Sequence, residues 1–185
     1  LLFLRCEVFN VDLAVKRYLK YWKTRVEVYG NEKAFRKLTV SDSLSEDNGT
    51  LSTGYICLVE GASDEKGRSI LLADPSTQDR SKYSRESMRR VFWYTMHCAL
   101  ESENAQRHGV VILVHPEHAK FGQFDRKLQK TLIGSLQATL PVRVAAFHIC
   151  RPPVFASILL PIVKLLMSER LRKRINLHSG DNEIG

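Results

Sequence analysis

No stretch of this chain is apolar for the ~20 residues that a bilayer-crossing helix needs. The most apolar run, Val154 to Met167, is fourteen residues long, carries Ser157 and Lys164 and is interrupted by Pro161. The four cysteines, Cys6, Cys57, Cys98 and Cys150, are scattered, and no two stand at a metal-ligand or redox spacing. They read as reduced core thiols of a cytosolic protein. No glycine-rich loop cradles a phosphate, and Gly134-Ser135 lacks the second glycine of a nucleophile elbow and falls inside a helical pattern. Repeats and low-complexity tracts are absent. No secretory leader is visible, yet the chain begins at Leu1 without a methionine, so both ends read as cut.

What is present is an ordinary globular composition. A chain of 185 residues, 44% hydrophobic and 26% charged, suffices for one well-packed domain and is short for two. The net charge of +8 is concentrated. From Leu140 to His178, Arg143, Arg151, Lys164, Arg170, Arg172, Lys173 and Arg174 face the single acidic residue Glu169. Such a cluster suits nucleic acid, an anionic membrane or an acidic partner. It lacks the interleaved aromatics of single-strand binders and any nucleic-acid motif. The apolar segment beside it favours a membrane surface.

Along the chain, Leu13, Tyr18 or Leu19, Trp22 and Val26 recur at helical spacing, predicting an amphipathic helix from Asp12 to about Val28. Residues 33–48 are polar and read as a mobile connection. Two strands, 55–59 and 69–73, flank the Gly61 to Gly67 turn. Ser84 is placed to cap a helix that turns Met88, Val91, Phe92, Thr95, Cys98 and Ala99 to one side. Strand 110–114, helix 125–138 and strand 144–150 follow, the alternation of an α/β sheet with helices packed on it. Arg151-Pro152-Pro153 stops the last strand, because proline cannot donate to a sheet ladder but fits a helix start. The helix from Val154 to Met167 is apolar nearly all round, so it should be covered on most sides. Ile158, Ile162, Leu165 and Leu166 share one face of it, expected to line a cavity or pack on the sheet. The stretch Arg174 to His178 alternates as a strand does.

Residues that invite a catalytic reading are few. His115, Glu117 and His118 cluster after a strand end, but HxxH in a loop lacks the helical geometry of a zinc pair, and no third ligand is evident. His148, within an apolar strand, reads as a hydrogen-bonded pocket or core histidine. No catalytic residue, metal or cofactor is assigned.

Five motifs in order resemble the CRAL-TRIO lipid-binding domains, whose members include tocopherol, retinaldehyde and phosphatidylinositol transfer proteins. They are Leu2-Phe3-Leu4-Arg5 with Phe9-Asn10-Val11-Asp12-Leu13-Ala14, Asp64 to Arg68, Glu101-Gln106-Gly109 leading into Val110 to Val114, Arg151-Pro152-Pro153-Val154-Phe155, and Glu169 to Ile175. The chain departs from the pattern where His115 replaces the usual aspartate and Arg151 the usual asparagine. Val142 stands where inositol-binding members carry a glutamate, which argues against classical inositol-headgroup binding inside the pocket. The resemblance implies a mixed β-sheet flanked by helices that enclose a hydrophobic pocket, preceded by a small N-terminal helical region. Residues 1–48 would be that region and 49–185 the lipid-binding domain. The segment that normally closes the domain is not found, so a C-terminally extended form is expected to be more stable.

The function this implies is non-catalytic: binding, and transfer or sensing, of one hydrophobic lipid in a pocket gated by helix 154–167. His148, Phe155, Ile158, Leu159, Ile162, Leu165 and Leu166 are the expected pocket and gate residues. In the tocopherol-transfer branch, basic positions matching Arg143, Arg170 and Arg174 contact phosphoinositides. With Arg172 and Lys173 they are expected to meet a phosphoinositide or phosphatidylserine surface, placing the protein in the cytoplasm, peripheral on membranes. The alternatives are a lipid-dependent targeting module of a larger signalling protein and a protein-interaction domain without cargo.

Overall fold

A computed structural model describes residues 1–180. The chain runs through α1 (Leu2–Cys6), α2 (Val11–Lys33), α3 (Val40–Ser43), α4 (Asn48–Leu51), β1 (Ile56–Ser63) and β2 (Ser69–Ala73). It continues through α5 (Arg85–Ala99), α6 (Glu103–His108), β3 (Val110–Val114), α7 (Arg126–Ala138), β4 (Val144–Cys150), α8 (Ala156–Leu166), α9 (Glu169–Arg172) and β5 (Ile175–His178). The sheet order is β1-β2-β3-β4-β5, with β1 antiparallel to β2 and every later pair parallel. The fold is thus the mixed sheet with flanking helices expected from the motifs.

Parallel neighbours need crossover connections, and these are almost invariably right-handed. Because β2 to β5 follow one another across the sheet in a single direction, every crossover lands on the same side. That side presents Leu71, Ala73, Ile112, Val114, Phe147 and Ile149, alternate residues brought into line by the register. Strand residues Leu71, Ala73 and Ile112 join one core with Phe92, Trp93 and Met96 of α5 and Leu128, Leu132 and Leu136 of α7. The opposite face, with Ile70, Leu72, Leu113 and His148, is partly exposed and belongs to neither apolar cluster.

The helix starts are sealed locally. Ser84 accepts from Ser87 N while Ser87 Oγ accepts from Ser84 N, a reciprocal cap for α5, and Asp125 accepts from Leu128 N at the start of α7. Helix α2 lays Tyr21, Val28 and Tyr29 on α5, with the Tyr21 ring stacked 5.6 Å from Trp93, and breaks at Gly30 (φ 76°). Residues 33–48 are not the expected mobile connection. Leu44 is fully buried, and buried Asp47 takes a two-pronged pair from Arg90 at 2.7 Å, so an apolar anchor and a charge pair hold the segment down. Cys57 is exposed rather than part of the core, since it lies on the uncovered face of β1.

One glycine is required by geometry. Gly109 has φ 87°, and a Cβ there would lie 2.6 Å from the Arg143 carbonyl oxygen, whose partner is Val110 N at 2.8 Å. Gly109→Ala therefore meets both a backbone clash and a left-handed conformation. Chemical denaturation should show a loss of at least ~2 kcal/mol, and a loss below ~0.5 kcal/mol would contradict this packing.

Candidate functional site: an apolar cavity and a basic pocket

Between the covered sheet face, α7 and α8 lies a cavity of about 180 Å³. Its floor includes Ile112, Val114, Phe147 and Ile149, and its walls include Leu132, Ile133 and Leu136 of α7. The roof is α8, which contributes Ala156, Leu159, Leu160 and Val163, with Phe155 at its N-terminal end. These helical positions fall at i, i+3, i+4 and i+7 and so make one stripe.

That stripe is not the one expected. Ile158, Ile162, Leu165 and Leu166 lie roughly a third of a turn away and are absent from the lining, while Phe155 and Leu159 are part of it. Ile158 is 62% and Leu165 78% exposed, and no residue of α8 is buried. The expectation that α8 is covered on most sides fails because it is the last crossover, seated at the β4–β5 margin where little remains to pack on it. Leu166 instead supports a small cluster of Ile133, Met167 and Leu171. His148 is also outside the cavity. Phe147 and Ile149 face inward, so His148 points to the other side, where its Nδ1 lies 2.8 Å from His178 Nε2. Burial first, then the neighbouring His178 and the Arg68 charge, hold the His148 imidazole below its usual pKa.

Helix α8 is held by different kinds of contact at its two ends. At the C-terminal end, Gln137 Nε2 donates to Leu166 O at 3.1 Å and its amide oxygen accepts from Ser168 N. At the N-terminal end the chain turns through Arg151 with φ 51°, a conformation asparagine tolerates better than arginine, then Pro152-Pro153. Contact there includes an edge-on Phe121–Phe155 pair with centroids 5.9 Å apart. Pro161 removes one backbone donor from the middle of the helix.

A second pocket, of about 320 Å³, opens at the amino-terminal ends of β3 and β4. Arg143, Arg170 and Arg174 all line it, joined by Arg17, Arg68 and His108. Arg172 and Lys173 do not line it: both are exposed, and Lys173 pairs with Glu169 at 2.7 Å on the helix surface. Arg17 donates to Leu140 O at 2.7 Å and Gln137 O at 2.8 Å, satisfying carbonyls at the end of α7, and pairs with buried Glu7. Glu7 also lies 3.8 Å from Arg170, and Arg68 is bound by Asp64. Among the described residues Arg143 and Arg174 have no carboxylate partner; they donate to the carbonyls of Arg107 and Ala145. The pocket therefore keeps uncompensated positive charge. Burial raises the Cys6 thiol on its wall to about 11, leaving it protonated.

Arg68 stood in a recognised turn motif and could have been assigned from it, whereas Arg17 and the cavity floor carried no signal beyond strand alternation. At the other strand ends, His115 Nε2 lies 3.2 Å and Arg151 Nη1 3.3 Å from Glu117. Among the described residues no cluster of three potential ligands could hold a metal. None of the described helices is long and apolar enough to cross a membrane.

Comparison with known proteins places this geometry. A family model described as CRAL/TRIO domain matches residues 52–184. The alpha-tocopherol transfer protein-like protein of Mus musculus is 27% identical over 185 residues, covering 97% of this chain and 51% of that protein. Clavesin-1 of Xenopus laevis is 26% identical over 189 residues, covering 97% of this chain and 53% of its own length. The chain thus spans about half the length of the curated relatives it matches. The crystal structure of Sfh5 superposes with a TM-score of 0.69 at 11% identity, over 100% of this chain and 64% of that one, a likeness of fold.

The two sides of α8 can be told apart by substitution. Leu159→Asp should place an unpaired charge on an apolar wall and cost several kcal/mol in thermal or chemical unfolding. Leu165→Asp should leave stability within ~0.5 kcal/mol of the unsubstituted protein. Equal effects of the two would contradict the assignment of faces.

Proposed function

The chain belongs to the CRAL/TRIO domain family, the lipid-binding and lipid-transfer family its motifs resemble, and from that premise we propose that it encloses one hydrophobic lipid beneath α8. The observation that carries this reading is an apolar cavity roofed by a helix with none of its own residues buried. A cavity of 180 Å³ is comparable with the ~150 Å³ that holds a benzene ring and smaller than the ~300–1,000 Å³ of ordinary ligand pockets. A long-chain lipid therefore needs α8 displaced. The Pro153–Phe155 end, where Val154 is 95% exposed, is the part that swings, with the Gln137 clamp as pivot. Each acyl CH₂ buried contributes ~0.8 kcal/mol, enough to offset the loss of a roof that makes few buried contacts.

The basic pocket is read as the membrane-facing site, where Arg143, Arg170 and Arg174 meet a phosphoinositide or phosphatidylserine headgroup, with Arg172 and Lys173 as outlying charges. The division into residues 1–48 and 49–185 belongs to the same reading, residues 181–185 lying outside those described. Transfer between membranes, rather than sensing, fits a roof that opens beside a cationic surface. The protein would then act in the cytoplasm and on the membranes it visits.

Native mass spectrometry of the purified chain should detect a bound lipid. Arg170→Ala with Arg174→Ala should weaken sedimentation with phosphatidylserine vesicles about tenfold or more, each nearby cation contributing ~1 kcal/mol, with the difference shrinking at high salt. Equal binding by both proteins, or equal binding to neutral vesicles, would remove the membrane assignment.

A further inference from the structure

The cavity is apolar along most of its length, and its polar groups gather at one end. Tyr55 opens β1, residues 74–78 follow β2, Gln123 precedes α7 and Gln129 lies in its first turns. β1 starts opposite the end of β2, with Ile56 paired to Ala73, so these segments meet at the same edge of the sheet. Gln123 ties them together: its amide donates to Ser76 O at 2.7 Å and Gln78 O at 3.0 Å, and its oxygen accepts from Lys120 N at 2.6 Å.

Two donors in this corner lack an acceptor among the described residues. Gln78 is 5% exposed, lines the cavity, and its Nε2 is buried without a partner. Tyr55 is 7% exposed; its hydroxyl accepts from Gln129 Nε2 at 3.2 Å, and no acceptor takes the hydroxyl hydrogen. Buried donors are nearly always satisfied, and leaving one unmade is costly. The Gln123 amide does not serve them, its hydrogens and its oxygen being engaged in fixing the loop.

We propose that the Tyr55–Gln78–Gln129 corner is a headgroup subsite that donates hydrogen bonds to an uncharged oxygen, a hydroxyl or an ester or aldehyde carbonyl, so that the cargo is a neutral lipid. The proposal rests on the cavity reading and sharpens it. A phosphate or carboxylate head is disfavoured because the lining is otherwise uncharged and has one cation, Lys120, which is exposed. Burial there raises the Tyr55 phenol above its ordinary pKa, the same penalty any anion would meet. Anionic heads are thereby left to the arginine pocket at the other end of the strands, and the two sites select different molecules.

The test is a series of ligands with matched chains. Hexadecane, 1-hexadecanol, methyl palmitate and palmitate are titrated at neutral pH against a fluorescent apolar probe, diphenylhexatriene, bound to the full chain. In Gln78→Leu and Tyr55→Phe the alcohol and ester should each lose about five- to tenfold in affinity, the worth of one hydrogen bond from a buried neutral donor, while hexadecane binds as before. Gln78→Leu should melt no lower than the unsubstituted protein, since it removes a buried donor without an acceptor; Gln129→Leu gives an independent variant should Tyr55→Phe not fold. Unchanged preference in these variants with hexadecane still bound overturns the subsite alone. Palmitate bound as tightly as its methyl ester overturns the neutral-head assignment. Failure of the unsubstituted chain to take up any of the probes overturns the cavity reading and the subsite with it.

Discussion

Everything in this molecule follows from the direction in which the sheet grows. Four strands are added in sequence toward one edge, and a right-handed crossover between parallel strands can land on one side only. The helices that return the chain therefore stack on a single face. α5 arrives over β1 and β2, packed also against α2 and α7, and is buried there with Met88, Trp93 and Met96 at 0% exposure. α8 arrives last, over the β4–β5 margin, and its apolar surface finds too little to cover it. A helix that is apolar all round but half out of the core is in an unusual state for a protein interior. A half-exposed apolar roof over a cavity is the consequence.

The same geometry separates two kinds of binding energy. The cavity lies under α8 on the covered face, and the arginines gather where β3, β4 and β5 begin, with Leu136 the residue common to both linings. Burial of acyl carbon scales with area and is insensitive to salt; attraction to an anionic surface falls away within a Debye length of ~8 Å at physiological ionic strength. On the proposed reading, keeping these terms apart lets the cargo stay bound while the grip on a membrane changes. Arg17 gives the arrangement rigidity. It reaches from α2 to the last carbonyls of α7, and through Glu7 it sits beside Arg170, so the N-terminal helices and the basic pocket are braced against the helix that walls the cavity.

Local features in the chain serve that frame. Gly109 lets β3 start against the Arg143 carbonyl, which sets the stagger of β3 on β4 and so the row of side chains on the cavity floor. The αL turn at Arg151 and the two prolines after it end β4 abruptly and send the chain over the cavity mouth. Neither is a site, yet both decide where the site lies.

Much of this was legible in the chain itself. Strands 69–73, 110–114 and 144–150 coincide with the apolar runs that announce them, although helices cover only one face of the sheet. Ser84 and the Pro152-Pro153 break mark element ends by chemistry that acts over a few residues, and the ordered motifs carried the family. Matched positions singled out Arg143, Arg170 and Arg174, but that they share one pocket is visible only in the structure. What linear order could not decide is which way each element faces. On α8 two stripes are equally apolar, so periodicity alone could not choose Leu159 and Leu160 over Ile158 and Leu165; only the position of the helix at the sheet margin does. His148 looked inward because its neighbours are apolar, but the alternation of Phe147 and Ile149 turns it away. Tyr55, Gln78 and Gln129 are spread over three segments and become a corner only when β1 lies beside β2 and α7 returns across them. Sequence determined the elements and the family, since those depend on contacts a few residues apart; tertiary structure alone decided the lining of the cavity, since that depends on contacts between residues scores of positions apart.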